Sequence, residues 1–440
     1  MEVHTTGGTD ATPPSFDRAI PRVNATDVAT NTIVTFVFGE PMDTSINPAQ
    51  AVTWTGVANP ALFSYRWSPD GTRLFCQYGP GLPTATTITW AVNPAGSAAK
   101  LRDAAGNIMT GSRTGGFQTG PTSNFGVPDV SSLILYRAKS FFQSSAGVLD
   151  LNDYSAGFEL EFGGLCTVSS VDLGIPGGAL ETALGEFSQD YLAIEGEARF
   201  AQPDDLTRIL PDGNYTLGLH TFHDGLKSIT LNMASGTYPG SPTVQNYSAT
   251  QSIDGSQDFV LQWNPWIGGT SNDRIFVRVI GASGMTFFET PGMGEPLALD
   301  GTATSVTIPA DSLPPGSTLE AKIIFAKVIA SDTTQYPGVP VASARASATD
   351  LDIQTFGDPF KPQLEVQSWS TSQVKLRLTA VFGSYFQIQS GPSLPPTNAV
   401  WSGRVLGNPS GYRASFDYTD NTVSGVPKRF YQAHEIDGAP

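Results

Sequence analysis

Charge, cysteine and histidine are all scarce in this chain. Charged residues make up 15% of its 440 residues, against about 25% in ordinary soluble proteins. Basic side chains are the scarcer sign: 24 Lys and Arg stand against 40 Asp and Glu, for a formal net charge of −16. So acidic a chain repels phosphate backbones and anionic surfaces, which removes nucleic acid from the expected partners. No run of about 18 apolar residues occurs, so no membrane-spanning helix and no membrane insertion is expected. No apolar segment follows Met1 either. No signal peptide is therefore read here, and Met1 is expected to stand where one was removed. The two cysteines, Cys76 and Cys166, fall in different expected domains. A bridge needs Cα atoms within about 7 Å, so two buried free thiols are expected.

Catalytic signatures are missing as well. The chain has no Gly-x-Ser-x-Gly elbow, no His-Glu-x-x-His and no Gly-rich phosphate loop. Two of its four histidines, His4 and His434, lie near the termini, so any nucleophilic triad would have to use His220 or His223. Paired carboxylates hydrolyse glycosides, but none of the 40 acids is singled out as half of a pair. No cofactor is implied, and the chain reads as a non-enzyme. Helix-forming windows rich in Ala, Leu, Glu and Lys are absent too.

What is present is turn chemistry between short alternating runs. Gly (46) and Pro (33) are abundant. "TNTIVTFVF" places Ile33, Thr35 and Val37 on one face and Val34, Phe36 and Phe38 on the other. "FSYRWSPDGTRLFCQY" flanks Ser-Pro-Asp-Gly with two alternating runs, a hairpin in which Leu74, Cys76 and Tyr78 share a core face. At about 100–200 residues per domain, the length holds three or four.

Three motifs then stand in order: "FGEPMDTS" (Phe38–Ser45), "KLRDAAGN" (Lys100–Asn107) and "GGFQTG" (Gly115–Gly120). Residues 13–120 that carry them resemble a bacterial Ig-like domain of the kind found in S-layer and other surface proteins. The resemblance implies a sandwich in which Glu40 and Asp43 are structural. Residues 251–357 resemble a fibronectin type III-like domain, on Trp263, the "LPPGSTLEAKI" corner and Thr355-Phe356. There Phe259, Leu261 and Trp263 alternate inward, and Leu319, Ala321, Ile323 and Phe325 share a face. That family places a tyrosine after the corner, where this chain has Leu319. Residues 121–250 repeat the corner as "LPDGNYTL" and read as a related sandwich, with one short helical turn in "PDDLTRILPDG". Residues 358–440 resemble small C-terminal β domains of large secreted bacterial proteins, and residues 1–12 read as a flexible tail.

Four candidate sites follow from residue chemistry. "LPDGNYTLGLHTFHDG" carries His220 and His223, but residues three apart on a strand face opposite ways and sit about 10 Å apart. They read as structural rather than as zinc ligands. Calcium takes six to eight oxygens from Asp, Asn and carbonyls. "DYTDN" offers Asp417, Asp420 and Asn421, and "LRDAAGN" offers Asp103 and Asn107, so structural calcium is the ion considered, against a reading as turn residues. Exposed aromatic rings bind sugars. Trp266, after Asn264-Pro265, and Tyr336, in "TTQYPGVP", are the candidate exposed rings, against a favoured reading as buried or rim packing.

The sequence thus predicts an all-β chain of tandem Ig-like and fibronectin III-like sandwiches, with joints at Gly120–Pro128 and Thr355–Pro362. The resemblance implies a secreted or cell-surface protein of adhesive or structural role. Its expected partners are other surface proteins or copies of itself, paired through strand edges. A carbohydrate-binding protein ancillary to polysaccharide degradation is the alternative, and a hydrolase with an unrecognised site the third.

Overall fold

Alternating apolar residues close the first unit as a sandwich. The computed structural model describes residues 10–178, 180–183, 193–282, 284–392, 395–396, 398–405, 411–421, 423 and 429–436. The expected tail lies outside the described residues as far as residue 9. The first strands are β1 (Phe16–Ile20), β2 (Val34–Phe38), β3 (Val52–Thr55), β4 (Phe63–Trp67), β5 (Arg73–Tyr78), β6 (Thr87–Val92) and β7 (Arg113–Gln118). They form one sheet in the order β1-β2-β5-β4 and a second in the order β3-β6-β7. Between the sheets Val34, Phe36 and Phe38 meet Trp54, Ile88 and Trp90, with Leu74, Cys76 and Tyr78 beside them. Trp54 stacks on Phe63 at 4.0 Å, and Phe36 meets Trp90 edge-on at 4.9 Å. Ser68-Pro69-Asp70-Gly71 turns the β4–β5 hairpin as its sequence predicts, with Gly71 at φ +70°.

The middle of the chain supplies β8 (Val130–Ser145), β9 (Val148–Phe162), β10 (Val168–Gly174), β11 (Leu180–Ala183), β12 (Ala193–Phe200), β13 (Gly213–Thr221) and β14 (Leu226–Met233). The expected helical turn is α1 (Pro203–Ile209), with Pro203 in its first turn and Asp204 and Asp205 beside it. Then come α2 (Tyr247–Thr250), β15 (Phe259–Gln262), β16 (Arg274–Ile280), β17 (Thr286–Glu289), β18 (Leu299–Asp300), β19 (Ser305–Ile308), β20 (Thr318–Asp332) and β21 (Val341–Gln354). The last strands are β22 (Gln363–Trp369), β23 (Val374–Val381), β24 (Tyr385–Gly391), β25 (Asn398–Arg404), β26 (Arg413–Asp420) and β27 (Phe430–Glu435). The final strands pair as two three-stranded sheets, β22-β23-β26 and β25-β24-β27.

One sheet crosses the division expected at residue 250. Eight strands join in the order β12-β9-β8-β21-β20-β16-β17, with β18 on β16. The seam is a parallel pair, β8 with β21, running from Leu133 opposite Val341 to Phe142 opposite Asp350. β20 and β21 have 15 and 14 residues, over twice the usual strand length, so each serves two cores. Val341 packs in the core closed by β11-β10-β13-β14. Leu351 and Ile353, farther along β21, pack with Trp263, Leu261 and Val277.

Side-chain hydrogen bonds explain why the second face of β21 is so poor in bulk. "VASARASAT" is buried on both sides. Ser343, Arg345, Ser347 and Thr349, at every second position, donate to the carbonyls of Asn232, Ala234, Pro239 and Pro242. The segment after β14 is thereby laid along β21. Prolines in it have no N–H with which to join a ladder, and the serine and threonine hydroxyls satisfy its carbonyls instead. Gln143 completes the strap by both donating to and accepting from the backbone of Val244.

The first joint is packed rather than open. Ile33, Phe75 and Val37 point away from their own sandwich and into the next core, beside Cys166 and Val168. Ile33 N donates to Leu165 O at 3.0 Å. Arg66 lies over the Phe222 ring at 4.0 Å and donates to Ser169 at 2.7 Å. At the other end Gly411 and Gly383, both at positive φ, let the last unit approach closely. A Cβ on Gly411 would meet Asp311 O at 1.9 Å, and one on Gly383 would meet Met285 at 2.1 Å.

Candidate functional site

The two candidate exposed rings are buried. Trp266 is 8% exposed and stacks on Phe325 at 5.1 Å and 6°. The turn Asn264-Pro265 folds the ring back onto the sheet, and Gly269 leaves room beneath it. Tyr336 is 2% exposed, and its hydroxyl donates to Asp224 Oδ2 at 2.5 Å. Burial and the Asp224 carboxylate both push its phenol upward. Neither ring is free to stack on a sugar, which removes both as candidate ligand-binding residues and bears out the reading as packed side chains. Among the described residues Trp369, 78% accessible at the end of β22, is an exposed ring, as are Phe125 and Phe356.

The histidines of the β13–β14 hairpin serve different carboxylates. His220 Nε2 lies 2.8 Å from Asp172 Oδ2 across the β10–β13 pair. His223 Nδ1 lies 2.6 Å from Asp129 Oδ1, and the other oxygen of Asp129 accepts from the backbone N–H of His223 and Asp224. Asp224 accepts in return from Asp129 N at 2.7 Å and from Tyr336. Asp129 stands just before β8, and its fully buried carboxylate together with that of Asp224 ties three chain segments at the first joint. His223 lies in the bend beyond β13, where strand alternation does not govern it; the two imidazoles are held by separate carboxylates and do not converge.

Asp417, Asp420 and Asn421 are not brought together. Asp417 forms a two-pronged pair with Arg377 at 2.7 and 2.8 Å, which lowers its carboxyl. Asp420, three residues on, faces the opposite way and is buried, as strand geometry requires. It accepts from Tyr431 at 2.9 Å and pairs with Arg429 at 3.3 Å. Asn421 is exposed beyond the strand end. Protein donors occupy these oxygens, so "DYTDN" is a strand with cross-strand partners and not a calcium loop.

Asp103 and Asn107 do meet. Asn107 donates to Asp103 from its backbone and its side chain, each at 2.8 Å. Burial raises the Asp103 carboxyl, and these bonds with backbone N–H groups outweigh it and leave it lowered. Glu40 and Asp10 complete a group whose carboxylate oxygens lie within 4.8 Å of one another. Burial first, then the charges of Asp10 and Asp103, raise the Glu40 carboxyl. Asp43 faces elsewhere, on Arg102 at 2.8 Å. The three oxygens are of the type that holds calcium, and Asn107 is directed to Asp103 rather than offering a separate ligand.

The corner motif of "LPDGNYTL" holds what sequence reading missed. Tyr215 OH donates to Pro211 O at 2.6 Å. A tyrosine corner is thus present in the second unit, while Leu319 is a core residue of the third. Asp212, between them in sequence, bridges two arginines. Its Oδ1 accepts from Arg137 at 2.6 Å and Arg345 at 2.8 Å. These arginines stand directly opposite each other on the parallel seam, and both are buried. Arg137 also donates to Leu210 O and Tyr215 OH, and Arg345 to Ala234 O. The signal in the sequence was an Arg in each of two long apolar strands, with an Asp in a turn.

Comparison with known proteins agrees with this geometry for the first unit. No curated protein matches the chain by sequence. Among solved structures, the surface layer protein SbsC, domains 1–6, is 11% identical over 98% of this chain and 67% of its own, with a TM-score of 0.21. An L,D-transpeptidase from Mycobacterium smegmatis is 14% identical over 39% of this chain and 73% of its own, at 0.19. The chicken CNTN1 FN1–FN3 domains are 9% identical over 68% and 94%, at 0.18. Residues 10–119 match the model of the bacterial Ig-like domain family, and the same stretch of chain forms the seven-stranded, two-sheet unit of β1 to β7.

Proposed function

We propose that this chain is a non-catalytic, stiff structural module of a bacterial surface protein, which assembles with other surface proteins or with copies of itself. The observation that carries the reading is the two-sided packing of β2 and β5. One face of each closes the Ig-like sandwich, and the other, through Ile33, Val37 and Phe75, enters the next core. Such a joint resists bending because motion would expose apolar area already removed from water. The shared eight-stranded sheet extends the same continuity to β17. A surface location fits a family found in S-layer-type proteins. Among the described residues, no helix is long and apolar enough to cross a membrane.

Small-angle scattering with limited proteolysis tests the stiffness. One rigid envelope and protection of residues 121–128 are expected. Rapid cleavage there, with a scattering curve that needs several orientations of the first unit, would refute it. The carbohydrate alternative is favoured by the exposed Trp369. A glycan array with wild type and Trp369→Ala decides it, since the ring offers the stacking platform considered earlier for Trp266 and Tyr336.

A further inference from the structure

β22 is an edge strand whose core-side face is left uncovered. Among the described residues it is hydrogen-bonded to β23 alone. Leu364, Val366 and Trp369 stand opposite Leu378, Leu376 and Val374. A bulge at Gln367 shifts the alternation, so Trp369 joins Leu364 and Val366 on the side facing the core. The core itself stops short of them. Leu364 packs against Leu378, Phe386 and their neighbours, while Val366 is 53% exposed and Trp369 78%.

The usual protections of an edge are missing. Natural edges carry lysine, proline or inward charges. "QLEVQSW" has no lysine or proline, and its one charge is Glu365, paired in register with Arg377 on the outer face. That outer face is electrically balanced. Glu365 and Asp417 offset Lys375 and Arg377, in a chain of formal net charge −16. Two copies of this chain repel one another in general, and here they approach without net charge.

Register then selects the partner. An antiparallel self-pair centred on Glu365 would oppose two carboxylates. Centred on Val366, it sets Glu365 across from Gln367, whose amide already donates to Glu365 within one strand. We propose that β22 is a homotypic pairing edge: it joins β22 of a second copy antiparallel, with the two-fold axis at Val366. The two three-stranded sheets become one six-stranded sheet, in which Val366 meets its own counterpart and Trp369 lies across from Gln363 of the second copy. This deepens the self-assembly part of the proposed function and rests on it. The contact is smaller than a standard interface of about 1,600 Å², so the dimer is reversible.

Sedimentation velocity of the full chain over a range of concentrations is the test. A reversible dimer is expected in wild type, and Val366→Lys, which opposes two ammonium groups, returns it to monomer with its melting curve unchanged. A second measurement does not depend on how that variant folds. Val366→Cys crosslinks to itself on mild oxidation, because paired strand residues lie about 4.5–5.5 Å apart at Cα. Ser368→Cys, across from Leu364, does not. Native thiols do not compete, since Cys76 and Cys166 are free and buried. A strictly monomeric wild type, a dimer that survives Val366→Lys, or crosslinking through Ser368→Cys in preference each overturns the pairing. So does a monomer that binds polysaccharide through Trp369. A monomer that still scatters as one stiff body sinks the pairing alone and leaves the structural reading standing.

Discussion

Replacing Asp212 probes the seam on which the long sheet depends. Its carboxylate is the acid that both Arg137 and Arg345 reach, at 2.6 and 2.8 Å. Removing it leaves two like charges buried at directly opposed positions of β8 and β21. Breaking a buried pair by deleting one partner costs about 3–5 kcal/mol. Two features reduce that here. The Asp212 side chain is 37% exposed, so water already screens it. Arg137 also keeps Leu210 O and Tyr215 OH, and Arg345 keeps Ala234 O. The expected cost is about 2–3 kcal/mol for Asp212→Ala, and about 1–2 kcal/mol for Asp212→Asn, which retains an acceptor oxygen. Native-state hydrogen exchange along β21 is the assay, because it reads this sheet separately from the other units. Asp212→Ala should accelerate exchange of the most protected amides by roughly 30- to 150-fold. Arg345→Met in the Asp212→Ala background should recover part of the loss, since it removes one of the two opposed charges. Asp205→Ala, at an exposed pair with Arg208, should change stability by less than about 0.5 kcal/mol. Exchange within twofold of wild type for Asp212→Ala would refute the claim that this carboxylate neutralises the seam.

Three further outcomes are expected. Tyr215→Phe loses the hydrogen bond to Pro211 O and should cost about 1–1.5 kcal/mol in urea unfolding; a neutral result would remove the corner from the stabilising features. Glu40 has a raised carboxyl, so its contribution is fully present below its unfolded pKa near 4.5 and is lost as pH rises through the higher folded value. Glu40→Gln should therefore raise the melting temperature of the Ig-like unit at pH 7, in metal-free buffer, and leave it unchanged at pH 3. No difference at pH 7 would count against repulsion within the Asp10–Glu40–Asp103 group. Trp266→Ala should destabilise the third core by about 3–5 kcal/mol, as for other buried aromatics. Unchanged melting would mean that the ring is not part of that core.

The structure separates the readings that alternation could support from those it could not. Val34, Phe36 and Phe38 were legible as core because they recur every second residue and need only one sheet to meet. Ile33, Val37 and Phe75 were equally apolar and in plain view on the opposite face. Their partner, the β10–β13 end of the next unit, lies far away in sequence, and only packing brings it there. The sequence left Trp266 and Tyr336 open between exposed and packed for a related reason. A Pro-rich turn predicts that the chain bends, but the direction of the bend decides whether a ring faces water or Phe325.

Composition and turn spacing were enough to determine an all-β chain and the hairpin at Ser68–Gly71, and the resemblance carried by three short motifs pointed to the first Ig-like unit. Those are local matters, set by the two-residue period of a strand and by the backbone freedom of Pro, Asp and Gly. The parallel seam, the Arg137–Asp212–Arg345 bridge, the strap of residues 232–244 along β21 and the bare edge of β22 were decided by tertiary structure alone. Each joins residues that are distant along the chain, or leaves a face open because no such partner arrives. No periodicity within a single strand records either event.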